Sequence, residues 1–324
     1  MSEEYPLISL VIPVYNTERF LEKCFKSAIA QDYPNLEILI LNNGSTDGSQ
    51  TIIDKYKELD TRIVAYKIEH VATVKESKDN CYYRAKADWI ITLDSDDAID
   101  DGYVTKLWQR HLETSADVVL ACMVSTTMDG KEIGTVPKQG FDFSKIVSGK
   151  DAVRMTIGKW DIGLNGALTH RKNINNVYIS NPDCLFYTDE FDGRLLLNAA
   201  GKVAFSQAKY SYTFNPNSVG KKLSWNKFKY RLLTRQGLVP FVRDNFSIKS
   251  KEYEAVTYQS LGFILLSLNY YIKNKKKLPL SVKDDIKEHT MKLLCLIDLE
   301  WTGINYFRNL ILLLLNKFLI RILF

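Results

Sequence analysis

Asp88–Leu93 (DWIITL) runs directly into Asp94-Ser95-Asp96-Asp97, and this junction is the most informative feature of the chain. The apolar run has the length and composition of a short strand that is buried in a sheet. The carboxylates after it repel one another at neutral pH unless a cation or hydrogen-bond donors compensate them. Mg²⁺ and Mn²⁺ take oxygen ligands of this kind and keep coordination positions for substrate phosphates. A solvated acidic turn, with Asp97 or Asp100 capping the next helix, is the structural alternative.

Short apolar runs and amphipathic stretches alternate on both sides of this segment. The other predicted strands are Leu7–Ile12, which we expect to break at Pro13, then Leu36–Leu41, Arg62–Ile68 and Asp117–Met128. With helices between them, they form a βαβαβ series, whose right-handed crossovers give a mostly parallel sheet with helices on both faces. Sheets of this class bind ligands beyond the carboxyl ends of their strands. The polar clusters at 13–17, 42–47 and 94–97 should therefore line one crevice.

The distribution of charge divides the 324-residue chain. Residues 221–324 hold 19 Lys and Arg against 8 Asp and Glu, whereas the first 220 residues hold 24 against 30. We predict an α/β domain over 1–220, with halves at about 1–128 and 129–220, and a basic helical extension over 221–324. No nucleic-acid motif accompanies the basic charge, so we expect no nucleic-acid partner.

Cysteine usage and the N-terminus exclude further classes. The five cysteines are scattered and form no CxxC pair, so we expect neither a disulfide framework nor a thiolate zinc site. The first residues lack the basic and apolar regions of a signal peptide.

The last 19 residues, YFRNLILLLLNKFLIRILF, are strongly apolar but are interrupted by charged and amide side chains. They contain no apolar run long enough to span a membrane. Two interpretations stay open. The segment forms a helix that lies in an anionic membrane surface, or it packs on its own protein or in a homo-oligomer.

Three motifs occur in an order and at a spacing that a known family shares. They are Ile8-Ser-Leu-Val-Ile-Pro-Val-Tyr-Asn16, Asn42-Asn-Gly-Ser-Thr-Asp47 and Trp89-Ile-Ile-Thr-Leu-Asp-Ser-Asp-Asp97. Weaker matches follow at Asn165-Gly166, Tyr187-Thr-Asp-Glu190, Tyr210-Ser-Tyr212 and Asn217-Ser218. Over about residues 5–220 the chain resembles family 2 glycosyltransferases, which have the GT-A fold.

The resemblance implies an inverting transfer of a sugar from a nucleotide-sugar, with UDP as the default nucleotide. The acceptor would be a hydroxyl of a glycan or of a lipid-linked molecule in bacterial surface polysaccharide synthesis, at the cytoplasmic face of the membrane. The residues implied for the nucleotide-sugar are Pro13, Val14, Tyr15, Asn42, Ser45, Lys78, Asp94 and Ser95. Asp96, assisted by Asp94, would hold Mn²⁺ or Mg²⁺.

The family also has a general base before a helix, and an acceptor-side segment. Two registers place the base at Asp189 or Glu190. We favour Asp189, for which a helix N-cap is the structural alternative. Trp160 and Asn165 fall in the acceptor-side segment, where Trp160 either stacks on a sugar or belongs to the core.

The chain departs from the family at three motifs that matter for donor binding, one of which is Thr213-Phe214, where the family often has a basic residue. Asn42-Asn43 stands where the family usually has two acids, the first of which commonly accepts a hydrogen bond from uracil, so a different base remains open. Ser77-Lys78-Asp79 stands where an Ala-Arg-Asn motif is usual, which leaves a point charge in place of a guanidinium fork. These departures keep a non-catalytic GT-A scaffold open.

A second rival is a sugar nucleotidyltransferase, although Pro13-Val-Tyr-Asn16 is not the glycine-rich phosphate loop that such an enzyme needs. His70 has no metal-ligand spacing, and we expect it to be structural.

Overall fold

A computed structural model of the chain describes residues 5–180, 190–214, 224–298 and 306–323. The chain forms two compact units. The first comprises Met1–Thr156 and Trp160–Asn215, and the second comprises Ile157–Lys159 and Pro216–Phe324.

The first unit is built from alternating strands and helices. The strands are β1 (Ile8–Val14), β2 (Leu36–Asn43), β3 (Ile63–Ile68), β4 (Trp89–Thr92), β5 (Ala98–Ile99), β6 (Val118–Thr126), β7 (Glu132–Val136), β8 (Ile146–Val147), β9 (Leu168–His170) and β10 (Val203–Thr213). The helices are α1 (Glu18–Ile29), α2 (Ser49–Leu59), α3 (Val74–Arg84), α4 (Tyr103–Thr114), α5 (Gly149–Arg154), α6 (Arg171–Ser180) and α7 (Asp192–Ala199).

These strands form one sheet in the order β3-β2-β1-β4-β9-β6-β10-β5, with β7 paired to β6 and β8 to β10. Strands β1 to β4, β6 and β10 run in the same direction, and β9 is antiparallel to both of its neighbours. The predicted mostly parallel sheet is therefore confirmed.

Alternate residues of the central strands supply two cores, because successive side chains of a strand point to opposite faces. Leu10 and Ile38 pack with α1, α2 and α4 on one face. Val11 and Leu39 pack with α3 and α6 on the other face. Both faces of the sheet are covered, which explains why β1 and β2 are apolar without alternation.

The expected break at Pro13 is wrong, since β1 continues to Val14. The carbonyl of Val11 accepts a hydrogen bond from Leu93 on the β4 side, and Pro13, two residues on, faces the same side. Strand β4 ends at Thr92. Pro13 lies beyond the last β1–β4 pair, Val11 with Thr92, so its missing N–H interrupts no pair of that ladder.

The second unit is helical, as the sequence predicts. Its helices are α8 (Trp225–Phe246), α9 (Lys251–Asn274), α10 (Leu280–Leu296) and α11 (Tyr306–Leu323). Helix α9 packs against α8, α10 and α11. The buried Asn316 side chain on α11 donates a hydrogen bond to the Leu261 carbonyl on α9. None of the described helices combines the length and the apolar character that crossing a membrane requires.

Candidate active site

The loops that follow β1, β2 and β4 are joined by hydrogen bonds between polar side chains and backbone groups. The Asn16 N–H donates to Ser45 Oγ at 3.1 Å, and Asn16 Oδ1 accepts the Thr46 N–H at 2.8 Å. The Thr17 hydroxyl donates to Ser95 Oγ at 3.0 Å. The structure therefore brings the three polar clusters together at the carboxyl edge of the sheet, as the parallel topology predicts. Ser45 and Ser95 take part in these loop contacts.

Asp97 is a structural acid, and it does not cap the following helix. Its side chain is 1% exposed and accepts hydrogen bonds from the Tyr210 hydroxyl and the Thr213 N–H, each at 2.8 Å. The Tyr210 hydroxyl in turn accepts the N–H of Asp94 at 3.1 Å. Burial, with the neighbouring charges of Asp94 and Asp96, raises the pKa of Asp97 to about 8. This network fixes the acidic turn to β10.

Asp94 and Asp96 retain part of their surface, unlike Asp97. Lys78 Nζ lies 3.4 Å from Asp94 Oδ1, and the Asn165 amide donates to Asp94 Oδ2 at 3.4 Å. Burial, followed by the charge of Asp94, raises the pKa of Asp96. The structure thus brings together the predicted residues Lys78, Asp94 and Asn165, with Asp96 two residues further along the turn.

No group of three or more His, Cys, Asp and Glu side chains within the described ranges is arranged to hold a metal ion. The turn offers Asp94 and Asp96 instead. This donor set fits Mg²⁺ or Mn²⁺, which are commonly held by one or two protein carboxylates together with substrate phosphates and water.

A cavity of about 110 Å³ lies beside Asp94. Lys78 and Asn165 line it with Asp94, and Ile90, Leu164 and Leu196 are among its apolar lining residues. Gly166 follows Asn165 in the cavity lining and has a φ of +70°. The Tyr103 hydroxyl donates a hydrogen bond to the Gly166 carbonyl at 2.8 Å. A side chain at this glycine would collide with Tyr103 and Tyr210. Asp192, which sequence reasoning did not single out, is buried at the same cavity.

Of the residues predicted to frame a nucleobase, Tyr15 offers the largest surface. Its side chain is 44% exposed, whereas the side chain of Val14 is fully buried and Pro13 is partly buried. Val14 is buried over its whole residue, so Tyr15 is the residue of the three that offers a ring face to a base. The Tyr15 ring stacks on His70 with ring centroids 4.2 Å apart and an interplanar angle of 15°. We predicted only a structural role for His70 and did not foresee this contact. It forms because the ends of β1, β2 and β3 are adjacent in the sheet, which brings the residues that follow β1 and β3 together.

Asn42 does not present a hydrogen-bonding group to a ligand. Its side chain is 0% exposed, because Oδ1 accepts the Ser45 N–H at 2.9 Å and Nδ2 donates to Gln50 Oε1 at 2.7 Å. The contact of Asn42 with a base stays a prediction, and in this structure both groups of its amide are bonded within the protein. Asn42 closes the β2 turn.

The acceptor-side segment is held by a buried arginine that the sequence analysis missed. The Arg194 guanidinium lies 4.4 Å from the centre of the half-exposed Trp160 ring. It also donates to Thr156 Oγ1 at 2.9 Å, to the Thr156 carbonyl at 2.8 Å and to the carbonyl of Glu190. Trp160 is therefore tied to the start of α7.

Asp189 lies outside the described residues, as do Tyr187, Thr188, Asn217 and Ser218 of the weaker motif matches.

Part of the chain matches a family of known proteins. The family model for glycosyl transferase family 2 matches residues 9–177, which is more than half of the chain. GlyA and GlyG, two glycosyltransferases of Streptococcus pneumoniae, are each 35% identical over 35% of this chain. The matches span only 16% of GlyA and 38% of GlyG.

A solved structure shows the same fold. The structure of S. aureus TarS 1–349 in complex with UDP-GlcNAc superposes with a TM-score of 0.58 at 14% identity, covering 90% of this chain and 81% of that one. The GT-A fold expected from the sequence is therefore confirmed. With the family model matched over more than half of its length, the chain belongs to glycosyl transferase family 2.

Proposed function

We propose that the protein transfers a sugar, with inversion, from a UDP-sugar to a hydroxyl of a glycan or lipid-linked acceptor in bacterial surface polysaccharide synthesis. The observation that carries the proposal is the convergence of Lys78, Asp94 and Asn165 beside a cavity at the carboxyl edge of the sheet. The structural likeness to TarS bound to UDP-GlcNAc supports a UDP-sugar as the donor.

In this proposal, each part of the edge has a separate task. The exposed Tyr15 ring stacks on the base, and Lys78 places positive charge near the diphosphate. Asp94 and Asp96 hold Mn²⁺ or Mg²⁺, which supplies Lewis-acid stabilisation to the departing nucleoside diphosphate when it is bound. Asp97 remains outside the reaction, since both of its oxygens accept hydrogen bonds from β10. Trp160 and Asn165 contact the acceptor or the transferred sugar.

A carboxylate must take the proton of the acceptor hydroxyl as it attacks the anomeric carbon from the face opposite the leaving group. Asp189 remains our first choice for this base, and Glu190 is the alternative register. Asp192 is a third acid to test, since it lines the cavity.

Single variants assign the base. Replacing the base, as Asp189→Asn, Glu190→Gln or Asp192→Asn, should lower kcat about 100-fold or more with little change in donor affinity. The other two variants serve as matched controls. If none of the three variants lowers kcat, this acidic segment does not supply the general base.

The reaction class is tested with a panel of nucleotide-sugars and Mn²⁺. We expect slow release of nucleoside diphosphate, fastest from a UDP-sugar and abolished by excess chelator. A non-catalytic scaffold would bind the nucleotide and release nothing. A nucleotidyltransferase would instead form a nucleotide-sugar from a nucleoside triphosphate and a sugar phosphate, releasing pyrophosphate.

We also propose that the second unit docks on the anionic inner leaflet of the cell membrane, where lipid-linked acceptors are presented. On α11, Leu314, Leu315, Phe318 and Ile322 form an exposed apolar stripe, and the exposed Lys317 and Arg321 lie along one edge of it. Apolar burial and cationic attraction act together in helices of this pattern.

Vesicle binding tests the docking proposal. Phe318→Asp should reduce co-sedimentation with anionic vesicles, while Tyr258→Asp, an exposed change on α9, should leave it unchanged. Neutral vesicles and high salt should weaken binding. If the intact protein ignores anionic vesicles and Phe318→Asp instead changes its oligomeric state, the stripe is a subunit interface.

A further inference from the structure

Asn43 binds the segment that follows β3 through both groups of its side-chain amide. Its Oδ1 accepts the Val71 N–H at 2.7 Å, and its Nδ2 donates to the Val71 carbonyl at 3.1 Å. Its backbone carbonyl contacts His70 Nδ1 at 3.2 Å. Three contacts therefore hold residues 70 and 71 on the end of β2.

These contacts also fix the orientation of the His70 ring. A carbonyl oxygen only accepts, so Nδ1 carries the proton in this bond. Gly44, with a φ of +69°, allows the close approach, because a Cβ there would lie 2.8 Å from the His70 backbone nitrogen. The imidazole is thus anchored at its edge, with one face against Tyr15.

An acidic residue could not do what Asn43 does. A carboxylate has no proton to donate to the Val71 carbonyl and would place negative charge beside that oxygen. Asn43 and His70 therefore act together: Asn43 holds His70 in place, and the His70 ring packs against Tyr15.

We propose that His70, held by Asn43, is a positioning residue for the donor nucleotide: it backs the Tyr15 ring so that the base stacks on the open face of the tyrosine. The inference rests on the proposed function, since it requires a nucleotide donor. The base does not enter between the two rings, because rings whose centroids are 4.2 Å apart are already in stacking contact and leave no room for a third ring. Fixing the ring in advance removes an ordering cost from binding.

The test compares variants that separate the ring from its anchor. His70→Phe keeps an aromatic ring and loses the Nδ1 bond, whereas His70→Asn keeps a donor and loses the ring. UDP binding with Mn²⁺ is measured by calorimetry for both, for His70→Ala and for the wild type. Inorganic pyrophosphate with Mn²⁺ is the base-free probe.

We expect His70→Ala and His70→Asn to weaken UDP binding about fivefold or more, within the range that base stacking on an aromatic side chain supplies. His70→Phe keeps the stacking ring but loses the Nδ1 bond, so its UDP affinity should lie between that of the wild type and that of His70→Ala. Pyrophosphate binding and kcat should not change in any variant, while KM for the donor rises with the loss of UDP affinity.

Asn43→Asp tests the anchor. It should weaken UDP binding, and combining it with His70→Ala should add little, because the two residues act through one path. If the losses of UDP affinity in the two single variants add up in the double variant, Asn43 and His70 act independently and the proposed anchoring is wrong.

Other outcomes overturn the inference. Unchanged UDP binding in His70→Ala would show that Tyr15 needs no support, and tighter binding would show that His70 covers the base site. Equal losses for UDP and pyrophosphate would indicate a structural role. If the wild type binds no nucleoside diphosphate at all, the proposed function fails first and the inference falls with it.

Discussion

The amides at the end of β2 and the carboxylates at the end of β4 occupy corresponding places at one edge of the sheet, yet the structure uses them differently. Asn42 and Asn43 are buried, and their side chains are engaged within the protein. Asp94 and Asp96 keep part of their surface beside Lys78 and a cavity. Polar residues after a strand therefore divide into those that build the loops and those that face the crevice, and burial tells them apart.

The largest expected effect comes from removing a carboxylate at the end of β4. Asp96→Asn should lower the rate of sugar transfer at least about 100-fold, since charge compensation of a leaving diphosphate is worth several kcal/mol. The matched control is Asp101→Asn, the same chemical change at an exposed position five residues away. Steady-state rates with Mn²⁺ measure both. Equal rates in the two variants would remove Asp96 from the chemistry.

The next effect concerns stability and tests the amide side. Asn42→Asp removes the donor to Gln50 and buries a carboxylate, which should lower the free energy of unfolding by about 2 kcal/mol. Urea denaturation measures the change, and Asn35→Asp, at a more exposed amide, should cost much less. A variant with unchanged stability and altered preference among nucleoside diphosphates would instead place Asn42 in the base site.

The smallest expected effect is a dependence of stability on pH, and it tests the structural role of Asp97. Its folded pKa is raised to about 8, so the folded state holds this proton more tightly than the unfolded state, where the pKa is about 3.8. The contribution of Asp97 is therefore greatest at low pH and is lost as pH rises from about 4 to 8.

Asp97→Asn removes this loss, because an amide stays neutral and still accepts the Thr213 N–H. Between pH 5 and 8, we expect the melting temperature of the wild type to fall by at least about 3 °C more than that of the variant, the shift that about 1 kcal/mol produces. Parallel pH profiles would mean that Asp97 is ionised at both ends of this range.

The sequence predicted those parts of the fold that depend on local pattern. The apolar strands and the turns after them gave the order of elements in the first unit, and the parallel topology gave the meeting of their polar ends. Pro13 was misjudged because its tolerance depends on where β4 ends, a fact of the neighbouring strand.

The remaining misjudgements have a common physical cause. Arg194 and Asp97 act through partners far away in sequence, at Thr156 and Tyr210. The Asn42 amide could bind a ligand by its chemistry, but in the structure it forms hydrogen bonds with Ser45 and Gln50. Residue type and spacing indicate which groups reach an edge, whereas their competition for hydrogen bonds is settled only by packing.

The central claim is that Asp94 and Asp96 bind the nucleotide through a divalent cation, and one thermal-shift experiment tests it most directly. Melting temperatures of the wild type and Asp96→Asn are measured with UDP, with Mn²⁺ and with both, because a ligand that binds only the native state raises its stability. We predict that UDP and Mn²⁺ together raise the melting temperature of the wild type by more than the sum of their separate effects, and that Asp96→Asn loses this excess. An equal shift by UDP alone in both proteins, with no further effect of Mn²⁺, would contradict the claim.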